Sequence, residues 1–142
     1  MGNIYCVLGP PCGGKSTYVA ENAKEGDVVV DYDLIARSLG SKNSHDSSGA
    51  IRSCAFAARK AAIDLIMEGI DSDSWIIHTS PKKEDIEKYT DAGAEFVEIN
   101  PGKEVCLERA KDRPARTAEV IEAWYEQNSP KSLASMIMAI KV

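Results

Sequence analysis

Ile4-Tyr5-Cys6-Val7-Leu8-Gly9-Pro10-Pro11-Cys12-Gly13-Gly14-Lys15-Ser16-Thr17 decides how the rest of the chain reads. The apolar run Ile4 to Leu8 predicts a buried strand, and the Gly/Pro cluster behind it ends that strand before a helix-compatible stretch from Lys15 to Lys24. Gly9-x-x-x-x-Gly14-Lys15-Ser16 fills every fixed position of the pattern G-x-x-x-x-G-K-[ST], directly after the strand and directly before the helix. Glycines at 9, 13 and 14 let the backbone wrap a phosphate, with Pro10, Pro11 and Cys12 between them and Thr17 on the first helical turn. The helix start adds the positive end of its dipole. A purely structural glycine-rich turn is the alternative, and the flanking strand and helix speak against it.

Working outward, Val28-Val29-Val30 predicts a second strand that stops at Asp31-Tyr32-Asp33, followed by a short helix from Leu34 to Leu39 closed by Gly40. Residues 41–49 read as an exposed polar loop. Ala50 to Glu68 places Ile51, Cys54, Ala55, Ala58, Ala62, Leu65 and Ile66 at helical spacing, a long helix with one buried stripe ended by Gly69. Trp75-Ile76-Ile77 is a third strand, Pro81 to Asp91 a helix, and Ala94 to Ile99 a fourth strand. Asn100-Pro101 reads as a cap with proline at the first helical position, leading to a helix that ends near Arg109 and Lys111. A further helix from Thr117 to Gln127 pairs Val120 with Trp124 and Ile121 with Tyr125; the tail, 129–142, is a last helix or a docked segment. Strands alternating with helices predict an α/β fold: one parallel sheet of about four or five strands, right-handed crossovers, and helices on both faces. Ligands then gather at the carboxyl edge.

The chain has 142 residues, 44% hydrophobic and 27% charged, which matches a single domain over 1–142. Its net charge of -5 offers no broad basic face, so extended duplex binding is not expected. No apolar run approaches the roughly 18 residues that cross a bilayer, and the start carries no secretory pattern, so a cytoplasmic protein is expected. Cys6, Cys12, Cys54 and Cys106 form no CxxC or zinc spacing and read as reduced, mostly buried thiols. The oligomeric state is open.

Chemistry follows from what faces the loop. Lys15 would reach the β- and γ-phosphates of ATP, and the Ser16 hydroxyl would ligate Mg²⁺. Parallel strands bring Asp31 and Asp33 to the same edge, and alternation along an extended segment would point both acids one way. Asp33 fits a general base that takes a proton from an acceptor hydroxyl, or a cap for the helix starting at Leu34; Asp31 fits a holder of Mg²⁺-bound water, or a solvated strand end. Arg109, Arg113 and Arg116, interrupted by Pro114, read as a lid over about 109–117 that closes on the phosphates, or as a solvated helix end. His78 and Thr79 stand where a water or acceptor could be positioned; a buried, hydrogen-bonded His is the other reading. His45 and Asp46 either touch the acceptor or sit in a bland surface loop.

Gly9 to Thr17, then Asp31-Tyr32-Asp33 with Arg37, then Arg109 and Arg113 before a helix bearing Trp124-Tyr125, resemble the kinase domain of bacteriophage-type polynucleotide 5′-hydroxyl kinases over roughly residues 3–127. The resemblance extends to small phage nucleotide kinases and, in the D-x-D spacing, to shikimate- and gluconate-type kinases. It implies a P-loop NTPase fold of the nucleoside-monophosphate-kinase-like kind. It also implies that Asp33 is the base, that Arg37 contacts an acceptor phosphate, and that Arg109 and Arg113 clamp the donor. The family carries an Asp after the third strand where this chain has His78-Thr79-Ser80-Pro81.

The expected activity is Mg²⁺-assisted, in-line transfer of the γ-phosphate of ATP to a nucleoside, a nucleotide or a short nucleic-acid 5′ end. The catalytic set would be Lys15, Asp33, Arg109 and Arg113, with Arg37, His45, His78 and Thr79 beside Asp33 on the acceptor. A small-metabolite kinase is the near alternative, and an ATPase switch without an acceptor the distant one.

Overall fold

The computed structural model describes residues 1–42 and 49–127. Strands β1 (Ile4–Leu8), β2 (Val28–Val30), β3 (Ser74–His78) and β4 (Glu95–Glu98) form a four-stranded sheet in the order β2-β3-β1-β4. Every pairing is parallel. Around it run α1 (Lys15–Asn22), α2 (Tyr32–Ser38), α3 (Gly49–Glu68), α4 (Lys83–Asp91), α5 (Lys103–Arg109) and α6 (Arg116–Gln127), with a short 3₁₀ turn at Ala110–Asp112. The α/β architecture with a parallel sheet is as expected from the alternation of elements.

Register explains how the faces are divided. Cys6 lies beside Ile76 and Leu8 beside His78, so these side chains share one face of the sheet. That face is buried under Ile63 and Ile66 of α3 and Ile86 and Tyr89 of α4. On the opposite face Val7 and Trp75 meet Val19 of α1, and the Tyr5 ring stacks on Trp75 at 4.3 Å. The Trp75 indole N–H reaches Asp27 Oδ2 at 3.0 Å, satisfying the polar end of a buried ring. A third cluster of Cys12, Cys106, Ala110 and Ile121 fastens the loop after β1 to α5 and α6. Each fully buried aliphatic side chain here contributes about 1.5–3 kcal/mol of transfer free energy.

Several expectations change in detail. β3 lies between β1 and β2, so the acids after β2 are not on a strand adjacent to β1, although both strands end at the same edge. The second helix begins at Tyr32, not Leu34, because Asp31 caps it by accepting the Asp33 N–H at 3.0 Å. Asp33 is therefore a first-turn helical residue, and the alternation argument for Asp31 and Asp33 does not hold. The helix expected at Asn100-Pro101 starts at Lys103; Asn100 Oδ1 instead accepts from the Gly102 N–H at 3.2 Å and from the Tyr125 hydroxyl. On α3 the buried residues are Ala55, Ile63 and Ile66, while Cys54 and Leu65 face solvent. Cys6, Cys12 and Cys106 are buried, and no cysteine is in a disulfide. His45, Asp46 and the 129–142 tail lie outside the described residues.

Candidate active site

The loop after β1 owes its shape to close backbone approach. A Cβ on Gly9 would stand 2.1 Å from the Ile99 carbonyl oxygen, and one on Gly13 would stand 2.9 Å from the Pro10 oxygen and 3.1 Å from that of Ile99. Those two glycines are dictated by the chain leaving β4. Gly14 precedes α1 at φ 97°, a left-handed conformation that glycine adopts freely. Cys12 takes φ 61° without being glycine; its thiol is buried in the α5–α6 cluster, and burial pushes that thiol above its ordinary range.

Lys15 is 7% exposed, and its Nζ donates to the Gly9 oxygen at 2.8 Å and the Pro10 oxygen at 2.7 Å. The ammonium thus closes the loop on itself. Burial lowers its pKa to about 8, so it is held as a cation in a place that disfavours charge. The α1 ladder begins with Tyr18 N–H to the Gly14 oxygen at 2.9 Å, which leaves the amides of Lys15, Ser16 and Thr17 ahead of it. An anion is the natural partner for such amides beside an ammonium. Pro10 is buried, Pro11 and Gly14 half-buried, and Ser16 and Thr17 exposed.

Ser16 Oγ donates to Asp31 Oδ2 at 2.9 Å, which ties the first turn of α1 to the end of β2 across the intervening strand. Asp31 is 6% exposed and uses its other oxygen as the α2 cap. A hydroxyl and a carboxylate at this spacing are hard oxygen donors suited to a Mg²⁺ that keeps waters and takes phosphate oxygens. Among the described residues no group of three or more His, Cys, Asp or Glu side chains is arranged to hold a metal. Asp33 is half-buried on the first turn of α2, and Arg37 is exposed on its last.

From the other side, Arg109 Nη1 donates to the Cys12 oxygen at 3.0 Å and lies 3.6 Å from where a Gly14 Cβ would be. Arg113 is close enough for its charge to act on both Cys12 and Lys15. These two arginines of the expected lid therefore converge on the loop, whereas Arg116 opens α6.

The β3 exit differs from expectation. His78 Nδ1 is 3.0 Å from the Tyr89 hydroxyl, and Nε2 is 3.9 Å from Asp85 Oδ2. Burial, reinforced by the positive charge of Arg59, lowers the His78 pKa to about 4, so the imidazole is neutral near pH 7. Thr79 gives its carbonyl to the Trp124 indole N–H at 2.7 Å, fastening α6 to this edge. Arg59 of α3 also reaches this edge. Its guanidinium lies 3.5 Å from the Ile77 oxygen, and its charge acts on His78 and on the Tyr89 hydroxyl. One signal for it was present: Arg59 stands one turn from Ala55 and one turn from Ile63, both buried, so a cation occupies an inward stripe.

No family model and no curated protein sequence matches the chain. Among solved structures it is similar to the tunicamycin resistance protein of Deinococcus radiodurans, with TM-score 0.51 and 14% identity over 98% of this chain and 95% of that one. That likeness is one of chain path. Among the described residues no helix is long and apolar enough to cross a membrane.

Proposed function

We propose that this chain is a P-loop kinase that transfers the γ-phosphate of ATP to a nucleoside, a nucleotide or a short nucleic-acid 5′ end. The observation that carries this reading is the Ser16–Asp31 hydrogen bond, which ties the start of α1, behind the glycine-rich loop, to the acid that ends β2 at the carboxyl edge. A glycine turn with a merely structural role would have no use for a buried lysine and an oxygen pair at the helix start.

The chain's own residues divide the work. On binding, the loop amides and Lys15 hold the β- and γ-phosphates, with Lys15 exchanging its bonds to the Gly9 and Pro10 oxygens for phosphate oxygens. Ser16 and Asp31 would hold Mg²⁺, which when bound would neutralise charge on the phosphate oxygens. Asp33 accepts the acceptor hydroxyl proton as the new oxygen–phosphorus bond forms and the bond to the β-phosphate oxygen breaks, leaving ADP. Arg109 and Arg113 stabilise charge on the moving group and keep water from intercepting it. His78, neutral and tied to Tyr89, is a positioning group rather than a base. Arg37 and Thr79 border the acceptor side, and the net charge of -5 favours a small or single-stranded acceptor.

The test is transfer of ³²P from [γ-³²P]ATP across nucleosides, nucleotides, 5′-hydroxyl oligonucleotides and sugar acids. Saturable labelling of one of the first three classes supports the proposal. Labelling of sugar acids alone would move the chain to the small-metabolite kinases, and ATP hydrolysis indifferent to every acceptor would make it a nucleotide switch.

A further inference from the structure

Two thiols beside the loop after β1 have no task in phosphate transfer. Cys12, in that loop, and Cys106, in α5, are both buried and share one small cluster with Ala110 and Ile121. Two contacts fix which face of α5 the loop meets. Arg109, one turn beyond Cys106, donates to the Cys12 oxygen at 3.0 Å, and Ala110, four residues beyond Cys106, packs in the same cluster. The face of α5 that carries Cys106 is therefore the one laid against Cys12, and the Cys106 charge acts on both Cys12 and Lys15.

The two sulfurs differ in what can reach them. Cys12 keeps 8% of its exposure, whereas Cys106 has none and holds its Sγ 3.6 Å from the Tyr125 hydroxyl. The Tyr125 hydrogen goes to Asn100 Oδ1, so the Cys106 thiol is the donor in its own contact. Lys15, Arg109 and Arg113 act on Cys12 with positive charge, opposing the burial that keeps it a thiol. A small oxidant entering from the loop thus meets Cys12 first, and Cys106 only through it. Cys12 is also a non-glycine residue at φ 61°, in a loop where Gly9 and Gly14 take the other left-handed positions. Glycine would sit there without strain, so a side chain kept at that point has a use.

We propose that Cys12 and Cys106 form a redox pair, closed to a disulfide by a peroxide, that locks the loop onto α5 and shuts out ATP. One peroxide oxygen passes to the Cys12 sulfur, giving a sulfenic acid and one water. The Cys106 sulfur then attacks the Cys12 sulfur: the S–S bond forms, the S–O bond breaks, and the hydroxyl leaves with the Cys106 proton as a second water. The thiols together lose two electrons, which the O–O bond of the peroxide takes up. A loop locked in this way keeps Lys15 on the Gly9 and Pro10 oxygens, the arrangement that phosphate must displace. Closure of the pair is independent of the kinase reading, and only its effect on ATP rests on that reading.

The test uses the whole chain carrying Cys54→Ser, because Cys54 is exposed and would react ahead of the pair. Hydrogen peroxide is added, the remaining thiols are alkylated after unfolding, and the peptides are mapped by mass spectrometry, with fragmentation to separate Cys12 from Cys6. Calorimetry follows ATP binding in parallel. The expected result is an intramolecular Cys12–Cys106 bond, ATP binding at least 10-fold weaker, and recovery of the free thiols and of ATP binding with dithiothreitol. Cys106→Ala should bind ATP like the reduced parent. In peroxide it should give no linked peptide, and its Cys12 should pass to a sulfinic acid that dithiothreitol does not reverse. Cys106→Ser, which keeps a donor to Tyr125, serves the same comparison should the alanine variant fail to fold. Cys106 still open to alkylation after Cys12 has reacted, a closed bond with ATP affinity unchanged, or no reaction at either thiol overturns the proposal. If the reduced chain binds no ATP, the kinase reading fails and the linked peptide still decides the pair.

Discussion

The two exits at the centre of the sheet, after β1 and after β3, are built on opposite principles. The β1 exit is contiguous: loop, lysine and helix start follow one another from Gly9 to Ser16, and their contacts are mostly with their own backbone. The β3 exit is assembled: His78 comes from the strand, Arg59 from α3, and Tyr89 and Asp85 from α4, joined by side-chain bonds. A contiguous site carries its shape in local sequence, whereas an assembled one depends on how distant elements happen to meet. The first should fail through its chemistry and backbone geometry, and the second through packing and proton balance.

The largest expected effect is at Lys15. Lys15→Met should lower transfer from ATP by at least about 100-fold, since it removes the cation at the phosphates. The same change should raise stability at pH 7, because the ammonium is buried with its pKa lowered from 10.5 to about 8. With a folded-state pKa below the unfolded one, wild-type stability rises as pH goes from about 8 to 10.5, and the methionine variant should lack that rise. Urea titrations at pH 7 and pH 10 measure both signs.

Gly9→Ala probes the backbone of the same exit. Its Cβ would meet the Ile99 oxygen at 2.1 Å, and the main chain of β4's exit has no side-chain freedom to yield. Destabilisation of about 2–4 kcal/mol is expected in chemical denaturation. A neutral outcome would mean that β4 does not hold the loop.

At the β3 exit the expected signature is acid sensitivity. The folded pKa of His78 is about 4 against 6.5, so stability present above pH 6.5 is lost as pH falls toward 4, by on the order of 2–3 kcal/mol. His78→Asn should flatten that limb of the curve; an unaltered limb would place the proton uptake elsewhere. The smallest effect is expected at Asp64, which pairs with Lys60 at 2.7 Å and with Lys88 at 2.6 Å across α3 and α4. These are solvent-screened contacts, and Asp64→Asn should leave the midpoint of thermal unfolding almost unmoved.

The same contrast explains what could be read in advance. The order of strands and helices was legible because apolar runs, glycines and prolines punctuate the chain locally, and the loop from Gly9 to Ser16 because each of its positions has a fixed local task. The start of α2 is not legible, since either acid could cap it and Asp31, not Asp33, spends a carboxylate oxygen on capping. The α5 start was misplaced for a similar reason: Asn100 is engaged by Gly102 and Tyr125, so the Asn-Pro pair was free of helix duty. Arg59 is not legible in the sequence because a long arginine on an inward stripe reads as a stem lying over apolar surface. Only the meeting of α3 with β3 and α4 shows that its head is near His78.

The central claim is that the loop holds ATP while Asp33 accepts the proton of the attacking hydroxyl. Single-turnover transfer of label from pre-bound [γ-³²P]ATP to an acceptor, compared between the wild type and Asp33→Asn, tests it most directly. The account predicts a rate at least about 100-fold lower in Asp33→Asn with ATP still bound. Equal rates in the two proteins, or label passing to water regardless of the acceptor, would contradict it.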